Sequence, residues 1–507
     1  MRLLISCLIA GLSVVSSIGA ATLGSNPPWY PSAVAFEHHD SGRTKLFPRE
    51  NFNGSFQRDN VVDTRISPDN YLTVYNLVFL NPNAMFLYGG GFGNLGGTGA
   101  FVAGVDPTTL STVWSNQFVN TVEANEWDYP GVLSALKDGY LYLIYGYRLV
   151  KLDPRDGHIV AGPTNLPCST ALPANTSYNG FDALPDGTLI AKTVYREQGC
   201  ETQGFPAFLK CPNPTNVPNS IIVAIDPKTL AVIDQVPVPQ FTAGRLTCVP
   251  FAGKNCIYVP GETTIYRFLY ENKHLYMDTN WGPVQYLNPD SGQTPASSVA
   301  VMNDWIVFAD NGTPVSFSTN DFHLHFDPFM TIMAINQADS SKTNSIQPFK
   351  GTRTTPPTTN FPVISFSPSA VTVDPLRNRV FGLDAGPGVI GALDLHEDGF
   401  HPVWIEPQTT TEFLTLIGPR NRRVLVATDI PAGEYPGSNK TNTVVWRDAE
   451  TGRELARSKP LPAVVSGTMV EPGYGGRMYY FSENSKLIEL SVRPAPVKGG
   501  RPILELV

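Results

Sequence analysis

Two histidines and a carboxylate stand at alternate positions in His323-Leu324-His325-Phe326-Asp327. On an extended chain residues i, i+2 and i+4 share a side, so the two imidazoles and the carboxylate would face one way. Such a set suits a general base with its orienting carboxylate, or a metal site of the two-histidine, one-carboxylate kind. The alternative is a loop anchored by Leu324 and Phe326 with solvated histidines. His323 and His325 are taken as candidate catalytic residues, and no metal ligand is assigned.

A second group is Glu123-Ala124-Asn125-Glu126-Trp127-Asp128-Tyr129. Aromatic faces stack on sugars and attract cations, which makes Glu126, Trp127 and Tyr129 candidate substrate contacts; the alternative is a plug with both rings turned inward. A third begins Tyr195-Arg196-Glu197, where Arg196 offers a bidentate fork to a carboxylate or makes a surface ion pair. Arg245 and Asn179 open apolar runs and Asp310 and Asp384 close others, so all four are expected near one mouth. Lys192 interrupts the apolar run Leu189–Val194; a buried lysine shifts its pKa readily, whereas one at a strand end keeps its head in water. Gly89-Gly90-Gly91-Phe92-Gly93 is like a phosphate loop in composition alone, since no helix follows it.

These groups must be held by the rest of the chain, and the chain repeats. Ile221–Pro239 reads as a strand, a turn at Asp226-Pro227-Lys228-Thr229 and a second strand. Related copies begin at Val102, Leu149, Thr264, Thr331, Ile390, Thr443 and Lys486. Each is preceded by another pair of short runs rich in Val, Ile, Tyr and Phe, bounded by Gly, Asp, Asn and Pro, which is the hairpin signature. Four strands recurring about every 54 residues around an axis make a β-propeller. The expectation is an all-β fold, a single propeller of eight four-stranded blades over 71–507, with seven as the alternative count. Residues 21–70 form an N-terminal arm that either adds a ring-closing outer strand or crosses one face.

The repeat also sorts the loops. Connections between the first and second and between the third and fourth strands are short. The long ones, 89–99, 120–130, 163–179, 195–219, 286–296, 310–329, 348–362 and 429–442, all join second to third strands or one blade to the next. Their topology puts them on one rim, and long loops gathered on a rigid scaffold usually carry function.

The pattern V-x-A-x-D-P-x-T followed by an apolar strand resembles the repeat of the quinoprotein-alcohol-dehydrogenase-like propellers. The resemblance implies the propeller fold. Those enzymes carry adjacent cysteines over their quinone and a regular tryptophan in the last strand of each blade. No Cys-Cys pair occurs here, and only Trp114 and Trp404 take the tryptophan place clearly. The resemblance therefore carries the fold and not the PQQ site, and the cofactor is left unknown.

Met1-Arg2, the apolar run Leu3–Val15 and Ile18-Gly19-Ala20 have the order of a secretory signal peptide over 1–20. The run is short for a bilayer span, which needs about 20 residues. A secreted, extracellular chain without a membrane span is expected, as a monomer. A net charge of −8 without basic clusters argues against nucleic acid. Oxidation in the secretory route makes disulfides the expected use of cysteine, with Cys248 and Cys256 flanking a hairpin turn and Cys200 near Cys211 (or Cys168) as candidate pairs. Asn53, Asn175, Asn311 and Asn439 lie in glycosylation sequons.

Together these point to a secreted propeller enzyme acting on a carbohydrate or other polar small molecule at the central mouth. The concrete form is a glycan lyase or hydrolase, with a polysaccharide eliminase preferred: His323 or His325 acts as base and Arg196 or Arg245 neutralises a uronate. The alternatives are a quinoprotein-like oxidoreductase and a non-catalytic binding scaffold.

Overall fold

The computed structural model describes residues 28–90, 99–118, 131–168, 173–195, 218–288, 295–310, 329–352, 367, 369–432, 434, 440–465 and 467–496. They form a ring of eight antiparallel sheets whose four consecutive strands run outward from a common axis. The first seven blades span 74–117, 133–165, 176–237, 247–285, 300–346, 372–407 and 415–462. The eighth takes Glu471–Gly473, Arg477–Phe481 and Leu487–Pro494 from the end of the chain, and its outer strand, Asn60–Ile66, from the beginning. Seven residue pairs, from Asn60 opposite Pro494 to Ile66 opposite Ile488, close the ring.

Burial explains the strand patterns. Inner and second strands are covered on both faces by neighbouring blades, so Leu141–Tyr145 and Leu189–Tyr195 are buried throughout and read as continuous apolar runs. Outer strands such as Thr112–Gln117 are largely open to water. The apolar clusters sit between adjacent blades; one joins Leu184, Ile190 and Ile222 of blade three to Cys248, Ile257 and Phe268 of blade four.

The Asp-led motif makes the outer turns. Asp226 Oδ1 accepts from the amides of Lys228 and Thr229, and Leu230, at φ +59°, donates its amide to the Asp226 carbonyl. Asp106 and Leu110 repeat this arrangement. In two other blades glycine takes the left-handed place, as Gly157 and Gly452. Both are covered by a tryptophan of the preceding blade: Trp114 Nε1 donates to the Pro154 carbonyl at 3.2 Å and Trp404 Nε1 to the Ala449 carbonyl at 3.1 Å. Trp281 bonds the Asn336 carbonyl of the next blade in the same way.

The hairpin pairing expected between Cys248 and Cys256 is not made: both are free thiols. Cys248 stands opposite Ile257, and Cys256 opposite Val249. The one-residue offset turns the two sulfurs to opposite faces of the sheet, one into the core shared with blade three and the other toward blade five. Cys200 and Cys211 lie outside the described residues, and Cys168 is a half-buried free thiol. Of the sequons, Asn53 is exposed with its amide donating to the Gly475 carbonyl, and Asn175 is buried. Asn311 and Asn439 fall outside the described residues.

Candidate functional site

The axis is closed at one end by residues 28–50, which touch every blade in turn. Val34 and Ala35 carbonyls accept from Phe79 and Ala135 of blades one and two. Ser41 Oγ donates to Ala183 of blade three, and Arg43 Nε to the Leu246 carbonyl of blade four at 2.7 Å. Gly42, Thr44 and Lys45 carbonyls accept from Val301, Val373 and Leu416 of blades five, six and seven. The Ala33 amide donates to Tyr474 of blade eight. Four of these eight partners, Phe79, Ala135, Ala183 and Tyr474, lie toward or just past the downstream ends of inner strands, the end opposite the rim where second strands lead to third strands and one blade to the next.

Residues 28–50 and the inner ends of the blades share a buried polar cluster. Glu37 is its centre: Oε2 lies 3.0 Å from Arg43 Nη1, and Oε1 lies 3.0 Å from Arg245 Nε and accepts from the Tyr75 hydroxyl. Arg245 also donates to Tyr75. Arg245 and Tyr75 sit upstream in their blades, toward the open rim. The Arg245 side chain retains 9% exposure against 1% for Arg43, so Arg245 is the less enclosed of the two guanidiniums. Lys192 lies beside it, Nζ donating to Asn179 Oδ1 and to the Thr242 carbonyl, each at 3.0 Å. Asn179 is fixed in turn by its amide bond to the Ala243 carbonyl.

Burial sets the protonation of the groups around them. It holds the Lys192 amine well below its ordinary value, helped by the positive charges of Arg245 and Arg43. Lys45, bonded to the Arg43 and Val371 carbonyls, is brought down to about 7 by the same cause, and His38 falls well below 6.5. Buried carboxyls move up: Asp182 to about 7, Glu412 to about 8, and Glu471 well above its usual range, with Glu37 adding to the effect. At the axis two guanidiniums, Arg43 and Arg245, share the one Glu37 carboxylate.

Of the residues expected from sequence, Arg245 and Asn179 come together here, with Lys192. Tyr195 turns away, toward Tyr178 and Cys168. Asp310 Oδ2 accepts from the Thr331 amide, and Asp384 Oδ1 from the Gly386 amide, each at a strand end. His323, His325, Arg196, Glu126, Trp127 and Tyr129 lie outside the described residues. The strands flanking those segments leave and re-enter on the open rim, as the meander order requires. Glu37, His38, Arg43, Lys45 and Tyr75 were not singled out by the sequence. Glu37–Lys45, EHHDSGRTK, was nonetheless a dense polar run in a chain with 16% charged residues.

No protein-family model matches the chain, and no curated protein matches it. Solved structures match its fold. The quinohemoprotein alcohol dehydrogenase from Comamonas testosteroni aligns over 96% of this chain and 83% of its own, at 10% identity and a TM-score of 0.50. The Dos1 propeller aligns over 85% and 99%, at 9% identity and 0.50. BamB from Moraxella catarrhalis aligns over 85% and 98%, at 10% identity and 0.46. At these identities the likeness is one of fold. A quinone with a metal ion does not fit the described axis. Its cluster presents Arg43, Arg245 and Lys192 where a cation would need oxygen donors, and no group of three His, Cys, Asp or Glu comes together among the described residues.

Proposed function

We propose that the protein is a secreted enzyme whose mouth binds a polar small molecule of the carbohydrate class through an acidic group, and that it cleaves acidic glycans by elimination. The observation that carries this reading is Arg245, held by Glu37 and Tyr75 at the axis beside residues 28–50. A fixed guanidinium in a water-poor site stabilises the charge that develops on a uronate when the neighbouring proton leaves. On this reading the substrate would reach Arg245 from the rim to which the sequence repeat assigns the long connections. His323 and His325 belong to one of those connections and are candidates for proton transfer there.

The test is incubation of purified protein with a panel of acidic polysaccharides, following the ultraviolet absorbance of unsaturated sugars. Wild type should produce it. Arg245→Ala should lose it by roughly 10²-fold or more, the usual effect of removing one charge-stabilising donor, with the β-sheet circular dichroism spectrum unchanged. Absence of the signal across the panel overturns the lyase reading.

A further inference from the structure

We propose that Lys192 is the group that accepts the substrate proton in this mouth, taking it from a carbon next to a carboxylate. The proposal rests on the reading of the mouth as an acid-sugar site, and it goes beyond it by naming the base. Its ground is the way blade three is built around the lysine. The inner strand Thr176–Ala183 pairs with the second strand Leu189–Tyr195 from Tyr178 opposite Thr193 to Phe181 opposite Ala191, with a register shift between. Asn179 and Gly180 therefore oppose Lys192 alone, which is a β-bulge. Bulges recur next to active sites, where they re-aim a side chain. Gly180, at φ +93°, carries no side chain, and a Cβ there would come within 2.6 Å of Val132 at the entry to blade two and 4.0 Å of Glu37, so the bulge lets the inner strand pass close to the axial carboxylate. The Asn179 side chain, placed by the bulge, meets the lysine amine and is itself held to the Ala243 carbonyl.

The hydrogen bonds of the amine fit a neutral base. Both of its partners are uncharged acceptors, Asn179 Oδ1 and the Thr242 carbonyl. A neutral amine donates its two protons to these and keeps its lone pair. An ammonium would bring a third proton into a site where the charged neighbours are the guanidiniums of Arg245 on blade four and Arg43 on the axial segment. Glu37 is taken up by those two arginines and Tyr75. Thr242 is fixed by Ser220 and by its own hydroxyl bond to the Pro260 carbonyl, so the amine is held between two rigid acceptors.

The step balances without a redox partner. The C–H bond next to the uronate carboxylate breaks and its proton passes to Lys192 Nζ. The electron pair moves toward the carboxylate, whose charge Arg245 meets, and then forms the carbon–carbon double bond as the C–O bond to the leaving sugar breaks. The departing oxygen takes a proton from water, and Lys192 returns its proton to solvent.

The experiment is carbon-bound hydrogen exchange. A methyl uronoside, which retains the acidic C–H, is incubated with the full chain in D2O, and deuterium at the carbon next to the carboxylate is read by NMR. Wild type should exchange it. Lys192→Met and Lys192→Arg should both slow exchange by roughly 10²- to 10⁴-fold, the range for losing a general base, because a guanidinium restores charge but accepts no proton. Binding of the uronoside, followed by calorimetry, should persist in Lys192→Arg. In protein carrying ¹³C at lysine Cε, the signal missing from Lys192→Gln should titrate well below the ordinary lysine value of about 10.4. No exchange by wild type, undiminished exchange in Lys192→Arg, or an ordinary titration overturns the proposal. Exchange without cleavage of any polysaccharide leaves Lys192 as the base and defeats the lyase reading.

Discussion

Glu37 Oε1 stands 3.0 Å from Arg245 Nε, joining the N-terminal segment to the inner wall of blade four. With Arg43 on its other oxygen, this carboxylate ties the axial segment to the ring. Truncating one partner of a buried ion pair leaves an uncompensated charge and costs about 3–5 kcal/mol. Arg43→Ala should therefore lower stability by that amount in urea denaturation, through the loss of both the Glu37 contact and the Leu246 bond. A change below about 1 kcal/mol would mean that the segment is not anchored through this pair.

The buried carboxyls give a stability profile with a worked sign. Glu412 is raised to about 8 by burial, despite bonds from Thr411 and from the Thr468 amide. Between about pH 4 and 8 the unfolded chain has released this proton while the folded chain keeps it, so stability falls as pH rises. Asp182, raised to about 7, acts in the same direction up to that pH. Lys45, lowered to about 7, acts oppositely from there to about 10.4, where the unfolded chain holds the extra proton. The protein should melt at a higher temperature at pH 5 than at pH 8. Glu412→Gln should flatten that difference, because a neutral amide has no proton to lose; an equal slope in the variant would contradict the assignment.

Three turn glycines, two in outer turns and Gly253 in an inner hairpin, provide a controlled comparison. Gly157, Gly452 and Gly253 all have positive φ, of +74°, +73° and +78°. A Cβ on Gly157 would overlap the Trp114 ring, and one on Gly452 would sit 2.7 Å from Trp404, whereas nothing lies within 4 Å of Gly253. Gly253→Ala should cost only the left-handed penalty of about 1–2 kcal/mol. Gly157→Ala and Gly452→Ala should each cost about 1–3 kcal/mol more, as overpacking does, and tryptophan fluorescence should report the displaced rings.

The fold was legible because its signals are local and repeated. Asp226-Pro227-Lys228-Thr229 sets a turn by itself, and the buried second strands are apolar whatever their neighbours. The site was less so, because it is assembled across the axis. Arg245 and Asn179 could be placed near the mouth from their positions at strand starts. Nothing local says that Glu37, far away in the chain, turns back to meet Arg245, although the polar run Glu37–Lys45 is conspicuous once the axis is known to need filling. Asp310 and Asp384 show why such positions are ambiguous in a sequence: an aspartate at a strand end caps nearby amides as readily as it faces a ligand. The expected hairpin disulfide erred by register, since a single residue decides the face on which a sulfur lies.

That register makes a direct chemical prediction. Alkylation of the unfolded, unreduced protein should modify both Cys248 and Cys256, and reduction beforehand should add no mass to the peptides that carry them. In the native protein both should react slowly, because each is buried and burial raises both thiols above their ordinary pKa, leaving little thiolate to attack the reagent. Cys168, half-buried, should react ahead of them. A peptide pair linking Cys248 to Cys256 would require a one-residue slip of Thr247–Phe251 against Lys254–Pro260, which would exchange the faces of Cys248 and Val249 and turn the sulfur of Cys248 out of the core it shares with blade three.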